Sequence, residues 1–282
     1  MSNVSRRVKR LTSGAPIGNL TRIGNGYVRD EVGRPFRLID AEQDAANQKR
    51  RARFRDKRGF AFGHMRNMTD ITDNLSNKYC GYILLLQPHI AFQTNVLVTE
   101  GRESTPLNLA DLARIWAVSI RTARVVVSEL EARSILFETA GTFTLNERYH
   151  FRKKATEDVD ALIKTYFTAL KSFDMKAADL GFVYKLLPYI HYDTNLVCAD
   201  PFAAAEDIRF LTDGEMGEIV GLDERQVKAV LTRLRKSRIL DEWINAGDKR
   251  EKFTVINPYV FSRKRGEPDG AIAALFAKWK QN

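Results

Sequence analysis

The sequence has few cysteines, no long apolar run and no clustered histidines, and each shortage excludes a class of protein. Cys80 and Cys198 are the only cysteines in 282 residues, and both lie in apolar runs. We therefore expect buried free thiols in a reducing cytoplasm, not a disulfide framework. No apolar run reaches the roughly 18 residues of a membrane span, and residues 1–20 lack the apolar core of a secretory signal. A cytoplasmic protein without a membrane partner is expected.

The residue patterns of familiar catalytic sites are also missing. His64, His89, His150 and His191 are scattered singly, so there is no His-x-His pair for a metal. The sequence has no G-x-x-x-x-G-K-[ST] phosphate loop, and its acid pairs have no convergent partners. We expect no catalytic residues, no metal, no cofactor and no enzymatic activity.

Positive charge is in excess and is concentrated at the start of the chain. The formal net charge is +10. Residues 1–80 hold 17 Lys and Arg against 8 Asp and Glu, whereas the other 202 residues hold 28 against 27. This balance favours a polyanionic partner, with the start of the chain attracting phosphates.

The stretch from Leu211 to Leu240 has the pattern of a helix-turn-helix. Met216 and Ile219 recur at helical spacing, and Gly221 allows a sharp turn. Asp223 then caps a second helix, with a capping-box partner three residues on. The outer face of this helix, near its N-terminus, is where a recognition helix meets base edges. The residues predicted to read bases are Arg225, Gln226, Lys228 and Thr232.

The same apolar skeleton occurs 104 residues upstream, at residues 107–136. A second match, offset by 100 residues, pairs Gln87–Leu97 with Leu187–Val197 and Gly81 with Gly181. Because two such matches in register are improbable by chance, we infer an internal duplication. The residues predicted to read bases in the first copy are Arg121, Thr122, Arg124 and Ser128.

Each helix-turn-helix is followed by the pattern of a β-hairpin, which would form the wing of a winged helix. Gly141 separates two short apolar runs after the first, and Gly247-Asp248 is the tip of the second, Trp243–Ile256. The tip of the first wing carries no basic residue, so the second wing is the better candidate for phosphate contact. Its predicted phosphate-binding residues are Lys249, Arg250 and Lys252.

The first 58 residues are predicted to form a basic arm with a polar helix. Residues 1–39 show no sustained period, which predicts a mobile arm or a loose hairpin around Gly24-Asn25-Gly26. Asp40–Arg58 consists of good helix formers without a broad apolar face. A solvated charged helix and a phosphate-binding element are both compatible with this pattern. The residues assigned to phosphates are Lys49, Arg50, Arg51, Arg53, Arg55, Lys57 and Arg58.

The expected fold is α+β, mostly α, with two tandem winged helix-turn-helix domains related by internal duplication. The predicted organisation is an arm at residues 1–58, a first domain at 59–154, a connecting helix at 155–174 and a second domain at 175–282. An apolar stripe from Val159 to Phe173 predicts the connecting helix, which would pack on a domain or form a dimer face. A similar stripe from Ile272 to Trp279 predicts a C-terminal helix, which would pack on the second domain or dock on a partner protein.

The ends of the wings carry a resemblance to a known family. Residues 257–261, NPYVF, look like the Asn-Pro-x-x-Phe ending of winged-helix domains in replication proteins of Gram-positive plasmids and related phages. Residues 187–195, LPYIHYDTN, are similar to the leading segment of those domains. The first copy departs from the pattern, with Glu147 in place of the proline. The resemblance covers residues 59–280 and implies origin binding in replication initiation. In architecture, tandem winged helices also resemble iteron-binding plasmid initiators.

The expected partner is double-stranded DNA, bound by a monomer or a homodimer through bases and phosphates. Replication or transcription proteins are possible further partners. A phage or plasmid transcriptional regulator needs the same protein chemistry as an initiator. The near-neutral charge of the two copies favours a third function, a non-enzymatic protein-docking scaffold. The sequence leaves these three alternatives open.

Overall fold

A computed structural model describes residues 6–10, 18–24, 27–40, 47, 58–101, 103–155, 158–244, 252–264 and 268–277. The fold is α+β, as expected. The chain divides into two compact units, Met1–Lys57 and Arg58–Asn282. None of the helices in the described part of the chain has the length and apolar character that crossing a bilayer requires.

The first unit is built on four strands, β1 (Arg6–Arg10), β2 (Thr21–Gly24), β3 (Tyr27–Arg29) and β4 (Pro35–Asp40). They form an antiparallel sheet with the order β1-β4-β3-β2. Val28 and Phe36 lie opposite each other on β3 and β4, and both are buried. The pairing of β2 with β3 confirms the hairpin predicted around Gly24-Asn25-Gly26. The alternative of a mobile arm over residues 1–39 is wrong, and the other two strands of the sheet were not predicted. Strands of three to six residues are too short for an apolar period to stand out in the sequence.

The second unit contains two repeats with the same order of elements, which is a strand, four helices and three strands. We call residues 58–155 the first repeat and residues 158–277 the second repeat. The first contains β5 (Phe60–His64), α1 (Met65–Thr72), α2 (Asn77–Leu86), α3 (Leu109–Ile115), α4 (Ile120–Ala132), β6 (Leu136–Thr139), β7 (Thr142–Leu145) and β8 (His150–Phe151). The second contains β9 (Leu162–Tyr166), α5 (Phe167–Lys171), α6 (Ala177–Leu186), α7 (Asp213–Val220), α8 (Glu224–Ser237), β10 (Leu240–Ile244), β11 (Lys252–Ile256) and β12 (Phe261–Ser262).

The connecting helix predicted at residues 155–174 is wrong. Val159–Ala161 form one 3-10 turn, and the chain then runs as β9 before the short α5. All five residues of β9 are buried. A strand covered on both faces has no strict alternation of apolar and polar residues, so its sequence resembles an apolar helix. β9 occupies the same place in the second repeat as β5 in the first.

The third and fourth helices of each repeat begin and end at the capping residues that the sequence predicts. α7 starts at a capping box between Thr212 and Glu215 and ends at Gly221, whose φ of 69° is left-handed. At the start of α8, Gln226 N donates to Asp223 Oδ1 at 2.8 Å. Side chains cap α3 and α4 in the same way. The predicted pair of helices joined by a tight turn is confirmed in both repeats.

The predicted hairpins are confirmed as well. β6 pairs with β7, and β10 pairs with β11, both antiparallel. Ala140 and Gly141 form the first turn with positive φ values of 50° and 76°, which suits a two-residue hairpin loop. The tip of the second hairpin, residues 245–251, lies outside the described residues.

The C-terminal helix α9 (Gly270–Leu275) packs back on the second repeat, as predicted. Its Ile272 and the following Phe276 are buried in one cluster with Leu196 and Val255. Trp279 lies outside the described residues.

Both cysteines are free and buried, as the sequence predicts. Burial raises the pKa of the Cys80 thiol to about 12 and that of the Cys198 thiol to about 11. Both thiols therefore stay protonated and unreactive near neutral pH.

A buried asparagine closes each repeat with the same hydrogen bonds. Asn95 Nδ2 donates to carbonyl oxygens of β7 and β8, at 3.1 and 2.6 Å. Asn195 Nδ2 donates to the corresponding oxygens of β11 and β12, at 3.1 and 2.7 Å. Both asparagines have a left-handed backbone, with φ of 56° and 54°. The repeats thus share side-chain contacts as well as the order of their elements.

A four-stranded sheet with the order β12-β9-β5-β8 joins the two repeats. The central strands β5 and β9 pair antiparallel, with Phe62 opposite Lys164. Each central strand also pairs antiparallel with the last strand of its own repeat, β5 with β8 and β9 with β12. Exchanging the two repeats therefore leaves the order and pairing of the strands unchanged. This is what a two-fold axis between β5 and β9 requires.

Helices α2 and α6 cross at two glycines that are 100 residues apart in the sequence. A Cβ at Gly81 would lie 1.8 Å from the carbonyl oxygen of Ala177, and one at Gly181 would lie 1.6 Å from that of Asn77. Asn77 and Ala177 are also 100 residues apart, so the two contacts are exchanged by a two-fold axis. Only glycine permits two helix backbones to approach this closely.

One buried chain of hydrogen bonds breaks this symmetry. His150 Nε2 lies 2.7 Å from Tyr184 Oη, and His150 Nδ1 lies 3.2 Å from Gln87 Nε2. Burial lowers the pKa of His150 to about 3. The neutral ring then accepts from the Gln87 amide at Nδ1 and donates from Nε2 to the tyrosine oxygen. Phe261 takes the place of His150 in the second repeat, and Leu84 takes that of Tyr184 in the first, so the bonds have no counterpart across the axis.

We expect Gly81→Ala to destabilise the second unit, because its Cβ would overlap the Ala177 carbonyl. Overpacking of this kind costs about 1–3 kcal/mol or more, which thermal unfolding would detect. Gly214→Ala is the matched control. Gly214 is exposed in α7 with only Thr212 Oγ1 near a Cβ, at 3.9 Å, and alanine adds about 1 kcal/mol of helix propensity. Equal melting temperatures for the two variants would contradict the close crossing.

We also expect His150 to make the stability of the second unit depend on pH. Its folded pKa of about 3 lies below its unfolded value of about 6.5, so the unfolded state binds more protons between these values. Stability is fully present above about pH 6.5 and falls toward pH 3, by about 1.4 kcal/mol per pH unit. Denaturant unfolding at several pH values measures this slope. The slope should be smaller in His150→Phe; an unchanged slope would assign it to other groups.

Candidate nucleic-acid interface

The outer side of α8 presents one row of polar and basic side chains. The inner side consists of Val227, Val230, Leu231 and Leu234, which are all buried. Residues three and four positions apart lie on the same side of a helix, so the outer residues form a continuous stripe. We define the α8 face as the exposed residues Arg225, Lys228, Thr232 and Lys236.

Three of the four predicted base-reading residues of the second repeat lie on the α8 face. Arg225 is exposed, and no described residue forms a hydrogen bond or ion pair with its side chain. Lys228 Nζ lies 2.5 Å from Glu224 Oε1, and this hydrogen bond raises the pKa of the lysine. Thr232 Oγ1 donates to the Lys228 carbonyl oxygen at 2.8 Å. Of these three residues, Arg225 is the one whose side chain has no partner among the described residues.

The fourth residue, Gln226, completes a capping box, and its counterpart Thr122 hydrogen-bonds to the N-cap residue Ser119. Gln226 Oε1 accepts from Asp223 N at 3.1 Å. Thr122 N donates to Ser119 Oγ at 3.1 Å, and the two hydroxyl oxygens are 2.9 Å apart. Either side chain would have to break its hydrogen bond at the helix N-terminus to contact a base. A base contact by these two residues therefore stays a prediction.

Sequence reasoning missed Lys236, which lies four residues beyond Thr232. The signal was present, because steps of four residues from Lys228 lead through Thr232 to Lys236. Lys236 is exposed. Arg235 is basic but turned to the protein, where it forms an ion pair with Glu242 of β10 at 2.8 Å.

Arg233 fixes α8 to the core. Its Nε and Nη2 donate to the two carboxylate oxygens of Asp179 in α6, at 2.8 and 2.6 Å. Asp179 is only 5% exposed, so a buried charge has its partner on α8. The hydrogen bond raises the pKa of Arg233. This bidentate pair holds the helix that carries the α8 face.

The equivalent side of α4 is less basic and more apolar. Arg121, Arg124 and Ser128, all predicted to read bases, are exposed there. Ile120 and Val125 lie among them and are 53% and 57% exposed. We call these five residues the α4 face. Its apolar side chains suit contact with thymine methyl groups or with another protein.

The hairpins beside the two faces also differ. β6 and β7 carry no basic residue, and Phe137 of β6 is exposed. In β11, Lys252 is exposed, with Nζ 3.4 Å from Glu242 Oε2. Lys249 and Arg250 lie outside the described residues, so their phosphate contacts stay predictions.

Of the seven cations between residues 49 and 58 that were assigned to phosphates, Arg58 is described. Its guanidinium lies 3.8 Å from the centre of the Tyr166 ring, and Nη1 donates to the Tyr259 carbonyl oxygen at 3.4 Å. Arg58 thus makes protein contacts within the second unit. The other six lie outside the described residues, as does most of the helix predicted at Asp40–Arg58. Residue 47 is helical, but Asp40 belongs to strand β4, so the predicted start of the helix is wrong. The six cations outside the described residues are Lys49, Arg50, Arg51, Arg53, Arg55 and Lys57.

We expect Arg233→Met to lower the stability of the second unit, since it leaves the Asp179 carboxylate buried without its partner. The guanidinium is half exposed, so water screens the pair, and the cost should be about 1–2 kcal/mol, below the roughly 3–5 kcal/mol of a fully buried pair. Arg225→Met removes an unpaired arginine from the same helix and is the control. Thermal unfolding that gives equal losses for both variants would show that the Asp179 pair contributes nothing.

Histidines outside the two faces take part in hydrogen bonds of the fold. His191 is buried, with Nδ1 3.1 Å from Thr194 Oγ1, and His89 Nδ1 lies 3.2 Å from the Val98 carbonyl oxygen. Within the described ranges, no group of three or more His, Cys, Asp or Glu residues is placed to hold a metal ion.

Comparison of the chain with models of known protein families, with curated proteins and with solved structures finds no match.

Proposed function

We propose that the chain is a non-enzymatic protein that binds double-stranded DNA through two winged helices. The α8 face carries this proposal, because it places three cations and a threonine on the outer side of a capped helix. In a major groove, Arg225 can form a bidentate pair with guanine, and Lys228 and Lys236 can contact bases or phosphates. No cofactor is needed for such binding.

The order of elements in each repeat supports the winged-helix assignment. In the second repeat, α7 and α8 are joined by a tight turn and followed by the hairpin β10–β11; in the first, α3 and α4 are followed by β6–β7. The second helix of a helix-turn-helix lies in the major groove. A hairpin directly after it lies near the phosphate backbone, where Lys252 and the predicted Lys249 and Arg250 would add attraction.

The two-fold relation between the repeats determines how both helices would meet one duplex. The axis between β5 and β9 exchanges α4 with α8, so the two helices read base pairs in opposite directions. Their half-sites differ, because Ile120 and Val125 stand where α8 has Glu224 and Ala229. We therefore infer an imperfect inverted repeat bound by one chain.

Origin binding in replication initiation, in the cytoplasm, is the role that we propose for this activity. It rests on the likeness of residues 257–261 to the wing ending of plasmid and phage replication proteins. A phage or plasmid transcriptional regulator would use the same α8 face. The α4 face favours a second candidate for the first repeat, a protein-docking surface, because Ile120 and Val125 expose apolar area.

Selection of bound fragments from random duplex DNA and from the source replicon, followed by footprinting, tests the proposal. An imperfect inverted repeat present in several copies in an AT-rich region would support origin binding. One protected site over a promoter would instead indicate a transcriptional regulator. If no sequence is enriched at physiological salt, base reading is wrong and the docking scaffold is favoured.

Arg225→Ala should weaken binding to the selected site by about 1–3 kcal/mol and relax the base preference at one position of one half-site. The physical reason is the loss of a bidentate contact to a base edge. Fluorescence anisotropy with the selected duplex and its single-base variants measures both effects. Lys154→Ala removes one exposed cation outside both helix faces and should leave the preference unchanged. An unaltered preference in Arg225→Ala would remove the α8 face from base reading.

A further inference from the structure

The sheet of the first unit has two unlike sides. Directly paired residues of an antiparallel sheet lie on the same side, and successive residues alternate. One side contains the pair Val28 and Phe36, which are buried. The other contains Tyr27, which is half-buried, and Arg29 and Pro35, which are exposed. One side of the sheet is therefore covered, and the other is open at these positions.

The register places basic residues around Tyr27 on this open side. Tyr27 of β3 pairs with Arg37 of β4, which in turn pairs with Lys9 of β1. Arg29 lies two residues from Tyr27, and Arg7 two residues from Lys9, so both belong to the same side. We define the basic sheet side as Arg7, Lys9, Tyr27, Arg29 and Arg37.

The acidic residues near Arg29 have partners of their own. Asp30 Oδ2 accepts from Arg34 Nε at 2.9 Å, and Glu31 Oε1 accepts from Asn19 N at 2.9 Å. The side chain of Arg29 is exposed and has no partner among the residues that the structure describes. Residues 1–57 hold 14 Lys and Arg against 6 Asp and Glu, so the unit has a net charge of +8 and attracts polyanions.

The position paired with Tyr27 on β2 is open. Its neighbour on β2 is Gly24, which has no side chain. A Cβ built on Gly24 would meet nothing within 4 Å. A tyrosine beside a glycine on one strand, with basic residues in register on the next two strands, is a pattern that sheet surfaces use to stack bases and hold the backbone.

We propose that the basic sheet side binds single-stranded DNA, with Tyr27 stacking on a base, Arg29 holding a phosphate and the net positive charge of the unit attracting the strand. The bases of a duplex are already stacked on both faces, so a tyrosine at the centre of a cationic surface adds affinity only for an unpaired strand. The surface lies in a different unit from the α8 face and needs no sequence preference. The choice of DNA over RNA rests on the proposed function.

Anisotropy of the full chain with fluorescein-labelled oligo-dT tests the proposal. Arg29→Glu should weaken binding at least fivefold at low salt and reduce the salt dependence, since it removes a phosphate contact. Arg22→Glu is the matched control: Arg22 is exposed on β2 but pairs with Val28, so it belongs to the opposite side. Equal losses in the two variants would show attraction by net charge alone and would overturn the surface.

Stacking is tested with Tyr27→Leu, which keeps apolar volume but removes the ring. Binding of oligo-dT should fall by about fivefold or more, whereas Tyr27→Phe should bind like the unaltered chain. An abasic strand of the same length should bind Tyr27→Leu and the unaltered chain equally. Oligo-dT binding that Tyr27→Leu does not weaken would overturn the proposal.

Two further ligands separate this proposal from the proposed function. Lys154→Ala, which removes an exposed cation outside both surfaces, should not change oligo-dT binding. A loss of oligo-dT binding in Arg29→Glu with an unaltered base preference on the selected duplex would show that the two surfaces act independently. If random duplex binds as tightly as oligo-dT and loses the same affinity in Arg29→Glu, the surface holds duplex phosphates and the proposal is wrong. Tighter binding of oligo-U than of oligo-dT would overturn the choice of DNA.

Discussion

The architecture of the second unit depends on the contact between two helix backbones where α2 crosses α6. The Ala177 and Asn77 carbonyl oxygens occupy the positions that side chains of residues 81 and 181 would otherwise need. The distance between the α2 and α6 backbones determines how closely the two repeats can approach. It therefore also determines whether β5 can pair with β9 to complete the sheet between them. Since α4 and α8 are attached to the same cores, their relative orientation also follows from the glycine contact.

A symmetric interior supports an asymmetric surface in this unit. Asn95 and Asn195 make the same bonds, and the sheet pairs in the same register on both sides of the axis. The outer faces have diverged: α8 carries Lys228 and Lys236, whereas α4 carries Arg124 and Ala132 at those positions. Buried contacts tolerate few changes because packing is dense, while exposed positions are free to change. The repeats therefore share these interior contacts but differ in the chemistry of their exposed helix faces.

The sequence predicted the elements whose signals are local. Capping residues such as Asp223, the turn at Gly221 and the 3.6-residue apolar period lie within one segment, so the helix pairs and hairpins were predicted correctly. β9 and the first unit's sheet were not, because a strand is defined by partners that are distant in the sequence; β9 is held by β5 and β12. The same limit of local signals applies to the candidate nucleic-acid interface. Arg225 was predicted from its helix position, but the structural role of Arg233 depends on Asp179, 54 residues away.

The hydrogen bonds of His150 have a consequence for how repeats recognise each other. Two first repeats, placed across the same axis, would set the His150 imidazole against Leu84 and leave its Nε2–H without an acceptor. Two second repeats would leave the hydroxyl of Tyr184 against Phe261. Each buried group without a partner costs about 1–3 kcal/mol, whereas the unlike pair satisfies both at 2.7 Å. The His150–Tyr184 contact thus favours the pairing of a first repeat with a second repeat. It disfavours the association of two first repeats, or of two second repeats, through this surface.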